Sequence, residues 1–215
     1  MEQPKPYHHG ALREALLTAA ESILRRDGLP ALTLRAIARE ADVSHGAPGH
    51  HFKDLSELLS ELAAVGFERL ASMMQRLSPT EPNWGIAASH AYVAFAIDNP
   101  GLFSLMFRGE RLNADNPRLR AARENVFGVL EAFGNSPGIV RDRNRLGAMT
   151  AQWCLLHGYA VLAIDGRLAR LMAIAPHGTD TMGLLDFALA YQAGKINRQP
   201  AQGELGEQEV IPNAK

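Results

Sequence analysis

Cysteine is almost absent from this sequence, which contains only Cys154 among its 215 residues. A single cysteine cannot form an internal disulfide framework, and its isolation is typical of proteins from a reducing cytosol. The N-terminal residues also lack the apolar stretch and the small-residue cleavage site of a secretory signal. We therefore expect a cytoplasmic protein.

A strong excess of either charge is also lacking, because 22 Lys and Arg against 23 Asp and Glu leave a net charge of -1. Hydrophobic residues at 47% and charged residues at 21% are typical of an ordinary globular protein. The composition excludes wholesale disorder and fibrous repeats, and the length suits a small domain joined to a larger one. The net charge itself indicates no class of partner.

Formal charges are missing from residues 146–164, a run of 19 residues that is close to the length of a membrane-spanning helix. Gln152 and His157 lie within this run and would have to lose their hydration in hydrocarbon. The sequence therefore favours a helix buried inside a soluble protein, and we expect no membrane partner.

Catalytic and metal-binding motifs are missing as well. The chain has no nucleophile elbow, phosphate-binding glycine loop, paired-cysteine site or HExxH motif. His50 and His51 are adjacent, so on a helix they point about 100° apart and cannot bind one ion together. We expect no enzyme activity, no catalytic residues, no metal and no cofactor.

Helical periodicity dominates what is present, beginning with an apolar stripe over residues 12–24 that predicts a helix ending before Gly28. Thr33 is placed to cap a short second helix. Ser44 is placed to cap a third helix that runs to about Phe52. The three predicted helices, with a tight break before Ser44, form a helix-turn-helix unit over residues 8–54.

Residues 55–197 are predicted to form a second helical domain for ligand binding and dimerisation. A long helix is expected over 55–77, and further helices over 84–98, 100–107, 117–133, 141–165 and 181–194. No apolar residues alternate with a period of two, so the predicted fold class is all-α with no sheet. Residues 198–215 are rich in Gln, Glu, Pro and Gly and are expected to be a disordered tail.

DNA binding is indicated by the third predicted helix, because the second helix of a helix-turn-helix lies in the major groove. Its outward positions carry small or polar side chains: Ser44, His45, Gly46, Ala47 and His50. Small residues let a helix approach the base edges, and histidine hydrogen-bonds bases or phosphates. Thr33, Arg35 and Lys53 complete the predicted DNA-binding set. On spacing alone, an ordinary helical hairpin with a capped turn remains an alternative.

These residues bring out a resemblance to a known family. The segments LTLRAIA at 32–38, ADVS at 41–44 and HFKD at 51–54 resemble the DNA-binding domain of TetR family repressors, over residues 8–65. Trp153, His157 and Gly158, with NPGLF at 99–103, resemble a subgroup with a Trp-His-Gly signature in its C-terminal domain. The resemblance implies operator DNA as a partner, a homodimer, and repression relieved by a small-molecule effector.

The chain departs from the family pattern at Gly49 and Leu55, where relatives usually have a Tyr and a Lys that contact phosphates. Charge adds to this departure, since residues 1–62 hold seven Lys and Arg against nine Asp and Glu, or -2. Phosphate neutralisation supplies much of the affinity for DNA, so we expect modest non-specific binding. Partial protonation of the histidines in this domain is expected to strengthen DNA binding below about pH 6.5.

An effector cavity is predicted in the C-terminal domain from polarizable and aromatic side chains around one polar group. The predicted ligand-binding residues are Met73, Phe103, Phe107, Trp153 and His157. An ordinary packed core is the alternative for each of them. The last helix is apolar nearly all round, which indicates burial on two sides and hence a partner subunit.

Two rival classes remain beside a ligand-responsive DNA-binding regulator. An enzyme is disfavoured by the missing motifs. A protein-binding adaptor would use the arginines between Arg108 and Arg145, although exposed solvating charge explains these more simply. We therefore expect a repressor released from its operator by a small, largely apolar effector. A ligand-binding or adaptor protein with a degenerate helix-turn-helix is the alternative.

Overall fold

The computed structural model describes residues 9–78, 80–134 and 143–194, and over these ranges it contains helices and no strands. The helices are α1 His9–Asp27, α2 Leu34–Glu40, α3 Leu55–Gln75, α4 Trp84–Asp98, α5 Pro100–Met106, α6 Pro117–Gly134, α7 Arg143–Ile164, α8 Ala169–Ile174 and α9 Thr181–Gln192. The predicted all-α fold class is therefore confirmed. The predicted tail, 198–215, lies outside the described residues.

The start and end of α2 follow from local hydrogen bonds. The Thr33 Oγ1 atom accepts a hydrogen bond from the Ala36 N–H at 3.1 Å, as an N-cap side chain does. At the other end Asp42 adopts a positive φ of 54°, and the Val43 N–H donates to the Ala38 carbonyl at 3.0 Å. This left-handed ending turns the chain sharply toward the predicted DNA-reading segment.

The prediction of an α-helix as the third helical segment is wrong. A single 3-10 turn, Ala47–His50, replaces the helix expected over residues 44–52, and Ser44 does not cap it. Pro48 contributes no backbone N–H, and Gly49 costs up to about 1 kcal/mol relative to Ala in a helix. Together these two residues shorten the helix to one turn.

The long helix α3 is the centre of the molecule, packing against α1, α4, α5 and α6. Asp54 caps it by accepting from the Glu57 N–H at 2.9 Å, while Glu57 accepts from the Lys53 N–H at 2.8 Å. Gly66 lets α5 approach closely, because a Cβ there would lie 2.7 Å from the Met106 sulfur. A Cβ at Gly101 of α5 would similarly lie 3.0 Å from the Leu24 carbonyl oxygen of α1.

The C-terminal helices leave apolar surface uncovered in the single chain. Only Leu185 of α9 is buried, while Phe187 and Tyr191 are 42% and 51% exposed. The short helix α8 was not predicted from the sequence, and its Ile174 is 82% exposed. Within the described ranges, no helix has both the length and the apolarity needed to span a bilayer.

Candidate DNA-binding surface and effector cavity

The predicted DNA-binding residues lie around α2 and the 3-10 turn. Seven are exposed: Thr33, Arg35, Ser44, His45, Gly46, His50 and Lys53. Ala47 is the exception, because it is only 8% exposed and packs inward together with Pro48, so its predicted outward orientation is wrong. A 3-10 turn has about three residues per turn, so its inward positions differ from those of an α-helix.

Ion pairs leave few free cations on this surface. Arg25 and Arg26 pair with Glu21 and Glu40, respectively. Arg13 also pairs within the protein, with a carboxylate of α3, and lies over the Phe52 ring. Three cations of the domain form no ion pair with any described residue: Arg35, Arg39 and Lys53. The unpaired positive charge therefore lies on α2 and immediately after the 3-10 turn.

A cavity of about 470 Å³ lies in the C-terminal domain, with walls from α3, α4, α5, α6 and α7. Its aromatic lining residues are Phe67, Tyr92, Phe107, Phe127 and Trp153. Most of the remaining lining is aliphatic, so the cavity is suited to an apolar molecule.

The predicted ligand-binding residues are placed differently with respect to this cavity. Phe107 and Trp153 line it. Phe103 and His157 lie behind the lining, where their ring centres are 5.4 Å apart. The prediction for Met73 is wrong for this cavity, because the neighbouring residue, Met74, lines it instead. A step of one residue turns a side chain by about 100° around α3, so an error of one position changes the face.

Tyr92 and His157 form a polar pair beside the cavity. The Tyr92 hydroxyl and the His157 Nδ1 atom are 3.1 Å apart, and the His157 ring lies 4.5 Å from that of Phe107. Burial lowers the pKa of His157, so its ring is neutral at neutral pH. Burial also raises the pKa of Tyr92, against a hydrogen bond from Trp153. The protonated hydroxyl is thus placed to donate to the neutral ring.

Two charged residues, Arg123 and Glu124 of α6, also line the cavity. The Arg123 guanidinium lies 5.7 Å from the centre of the Phe67 ring, a cation–π arrangement at the cavity wall. Glu124 is exposed. Neither residue was indicated by the helical periodicity.

Glu61 of α3 is a functional candidate that the sequence reasoning missed. Its side chain is only 8% exposed, and it binds Arg13 of α1, Arg118 at 3.2 Å and Asn116 at 2.9 Å. Burial opposes ionisation, but the hydrogen bonds from Asn116 and the two arginines outweigh it and lower the pKa of Glu61. The sequence does contain one signal for this role, because Glu61 is an acidic residue among the apolar positions of the helix predicted over 55–77.

Both the N-terminal and the C-terminal part of the chain match models of known protein families. Residues 16–62 match the model for bacterial regulatory proteins of the tetR family, and residues 86–191 match a tetracyclin repressor-like C-terminal domain. The two matches together cover more than half of the chain. The uncharacterized HTH-type transcriptional regulator YobS of Bacillus subtilis (strain 168) is 25% identical over 71% of this chain and 79% of its own.

Solved structures show the same fold. A protein with unknown function from Rhodococcus sp. RHA1 is 31% identical, with a TM-score of 0.69 over 86% of this chain and 95% of its own. LfrR from Mycobacterium smegmatis, solved in complex with proflavine, is 21% identical, with a TM-score of 0.56 over 88% and 99%. The chain described here belongs to the TetR family of ligand-responsive, DNA-binding transcriptional regulators.

Proposed function

We propose that this protein is a homodimeric repressor that leaves its operator when a small, largely apolar effector fills the cavity. It acts on DNA in the cytoplasm and carries out no catalysis. Its C-terminal domain is of the Trp-His-Gly type, a proposal supported by Trp153 and His157 meeting at Tyr92. The observation that carries the proposal is the connection from the cavity wall, through Glu61, to the DNA-binding domain.

The cavity supports the effector part of the proposal. Its volume of about 470 Å³ lies in the usual range for small-molecule sites, about 300–1,000 Å³. Five aromatic rings line it, which suits a flat or branched apolar body. The structural neighbour LfrR was solved in complex with proflavine, a small molecule.

The coupling part of the proposal rests on α6. This helix provides much of the cavity wall from Arg123 to Leu130, and its Arg118 binds Glu61. Glu61 in turn binds Arg13 of α1. A ligand that displaces α6 therefore changes the position of α1, and with it the spacing of the two DNA-reading turns in a dimer.

The homodimer is supported by exposed apolar side chains on α7, α8 and α9. They are Val161, Leu162, Leu171, Ile174, Phe187 and Tyr191. Gly158 of α7 is also open in the single chain, because a Cβ there would meet no atom within 4 Å. Several large apolar side chains left exposed on successive helices favour an interaction surface. A two-fold axis would present both DNA-reading turns to one face of the duplex.

DNA binding is tested by fluorescence anisotropy with labelled DNA from upstream of the protein's own gene. We expect saturable binding by the wild type and at least a tenfold loss in the double variant His45→Ala, His50→Ala, because both side chains lie on the DNA-reading surface. His177→Ala is the matched control, since His177 is an exposed histidine in the loop before α9.

Two results would contradict the proposal. Equal affinity of the wild type and the double variant would remove His45 and His50 from the DNA contact. No binding by a folded dimer, with unchanged helicity in circular dichroism, would favour the alternative of a ligand-binding protein with a degenerate helix-turn-helix. The 3-10 turn in place of a recognition helix is the observation that keeps this alternative open.

A further inference from the structure

The wall of the effector cavity carries a positive charge that no residue in the described ranges pairs with. Among the described residues that line the cavity, Arg123 and Glu124 are the charged ones. Arg123 forms no ion pair with any residue in the described ranges, and its guanidinium lies over the Phe67 ring at 5.7 Å. Phe67 is 4% exposed, so one face of the guanidinium lies against a buried apolar wall instead of water.

Glu124 does not neutralise this charge. Consecutive residues of a helix point about 100° apart, so the two side chains leave α6 in different directions. Glu124 is exposed, whereas Arg123 is partly buried. The carboxylate is therefore the better hydrated of the two groups, and the guanidinium is the charge closer to the apolar interior.

Three other polar groups at the cavity interact with one another: Tyr92, His157 and Trp153. The Tyr92 hydroxyl is 3.1 Å from His157 Nδ1, and it also interacts with the Trp153 indole. The His157 ring is packed between Phe103 and Phe107, at centre-to-centre distances of 5.4 and 4.5 Å. Arg123 is thus the cationic hydrogen-bond donor at this cavity, and its N–H groups face no ion-pair partner among the described residues.

We infer that the effector is an apolar molecule bearing one anionic group, a carboxylate or sulfonate, and that Arg123 binds this group while the aromatic walls hold the body. A guanidinium presents parallel N–H donors that match the two oxygens of such an anion. Partial removal of water from Arg123 strengthens this pairing. The inference rests on the proposed function, because it names the chemistry of the molecule that fills the same cavity.

Two dyes with one skeleton test the inference. Anilinonaphthalene sulfonate is N-phenylnaphthylamine with an added sulfonate, so the pair differs by one negative charge, and both dyes fluoresce when bound in apolar surroundings. In titrations of the full chain we expect Arg123→Met to weaken sulfonate binding about tenfold or more and to leave the neutral dye within about twofold. Arg120→Met is the matched control, since Arg120 is exposed on α6 and lies outside the cavity lining.

Two further variants secure the interpretation. Arg123→Lys keeps the charge and should retain part of the sulfonate binding, which separates loss of charge from loss of packing. Glu124→Gln removes the neighbouring negative charge and should strengthen sulfonate binding a few-fold. Equal losses for both dyes in Arg123→Met, or no loss for either, would overturn the inference.

The DNA assay separates this inference from the proposed function. If the neutral dye releases DNA and Arg123→Met changes nothing, the anionic effector is wrong and the regulated repressor stands. If sulfonate binding depends on Arg123 but neither dye changes the affinity for DNA, the site chemistry stands and ligand-controlled release is wrong.

Discussion

Arg118 of α6 donates a hydrogen bond to Glu61 of α3 at 3.2 Å, and the same carboxylate binds Arg13 of α1. Arg118 also binds Glu68 through two hydrogen bonds of 2.7 Å. Because α1 belongs to the DNA-binding domain and α6 lines the cavity, one buried carboxylate joins the two functional parts of the molecule.

Replacement of Glu61 tests this connection. Glu61→Gln keeps the side-chain shape but loses both ion pairs, so we expect the free energy of unfolding to fall by about 2 kcal/mol in urea denaturation. Glu68→Gln is the control, because Glu68 is half-exposed and should contribute less than about 1 kcal/mol. If both substitutions lowered the free energy of unfolding equally, burial would not make the ion pairs of Glu61 stronger than those of Glu68.

We expect the free energy of unfolding to fall in two stages as the pH is lowered. Burial lowers the pKa of His157 below 6.5, so the unfolded chain takes up a proton more readily there and stability falls as the pH drops through that value. The pKa of Glu61 is lowered below 4.5, so its stabilisation is complete above that value and is lost as the pH falls through its lower folded-state pKa.

Melting temperatures between about pH 8 and pH 3.5 distinguish these groups. His157→Phe should remove much of the first decline, and Glu61→Gln should reduce the second. Glu21 adds to the second stage, because hydrogen bonds from Arg69 lower its pKa. A profile with one decline that neither substitution alters would contradict both assignments.

Gly49 offers a test of the missing phosphate contact. A Cβ at Gly49 would meet no atom within 4 Å, and the residue is exposed, so a side chain can begin there without a clash. We expect Gly49→Tyr to bind the upstream DNA about fivefold more tightly than Gly49→Phe, since the hydroxyl adds one hydrogen bond. Equal anisotropy titrations for the two variants would place position 49 away from the phosphates.

The salt dependence of DNA binding should be shallow. With three unpaired cations per DNA-binding domain, a dimer should give a slope of log K against log salt of roughly -5. Arg35→Gln should reduce the steepness by about 2, because each protomer loses one cation. Arg25→Gln should leave the slope unchanged, since Arg25 is already paired with Glu21. A slope unaffected by Arg35→Gln would exclude a phosphate contact there.

The proposed dimer depends on the exposed face of α9. Phe187→Glu places a charge on this face, and we expect sedimentation velocity to show a shift from dimer to monomer. Ile97→Glu is the control, because Ile97 is 37% exposed, similar to Phe187 at 42%, but lies near the end of α4. Dissociation by both substitutions, or by neither, would contradict the assigned interface.

The helical elements were predictable because their signal is repeated many times along each segment. The helices α4, α5 and α9 begin at the predicted residues, where Asn99 precedes Pro100 and Asp180 caps α9. The helix α8 was missed because its six residues, Ala169–Ile174, hold fewer than two turns of periodic pattern and, unlike α5 with Pro100, carry no start signal: Leu168 precedes them and does not cap them.

The site was less predictable because it depends on packing between helices. Sequence spacing cannot tell Met73 from Met74, since the phase of α3 is set by its contacts with α6. The inward position of Ala47 follows from a 3-10 turn that the pattern of polar residues does not reveal. Glu61 and Arg123 acquire their roles from partners and rings that lie far away in the sequence.

The close approach of α5 to α1 adds a mechanical consequence. Gly101 brings no side chain of its own to this contact, where a Cβ would lie 3.0 Å from the Leu24 carbonyl oxygen and 3.2 Å from the Leu24 Cγ atom. A displacement of α5 toward α1 therefore presses on the Leu24 carbonyl and on the base of the buried Leu24 side chain, with no side chain of Gly101 in between. The other end of α5 carries Met106, which lines the cavity. This short helix therefore connects the cavity wall directly to a helix of the DNA-binding domain.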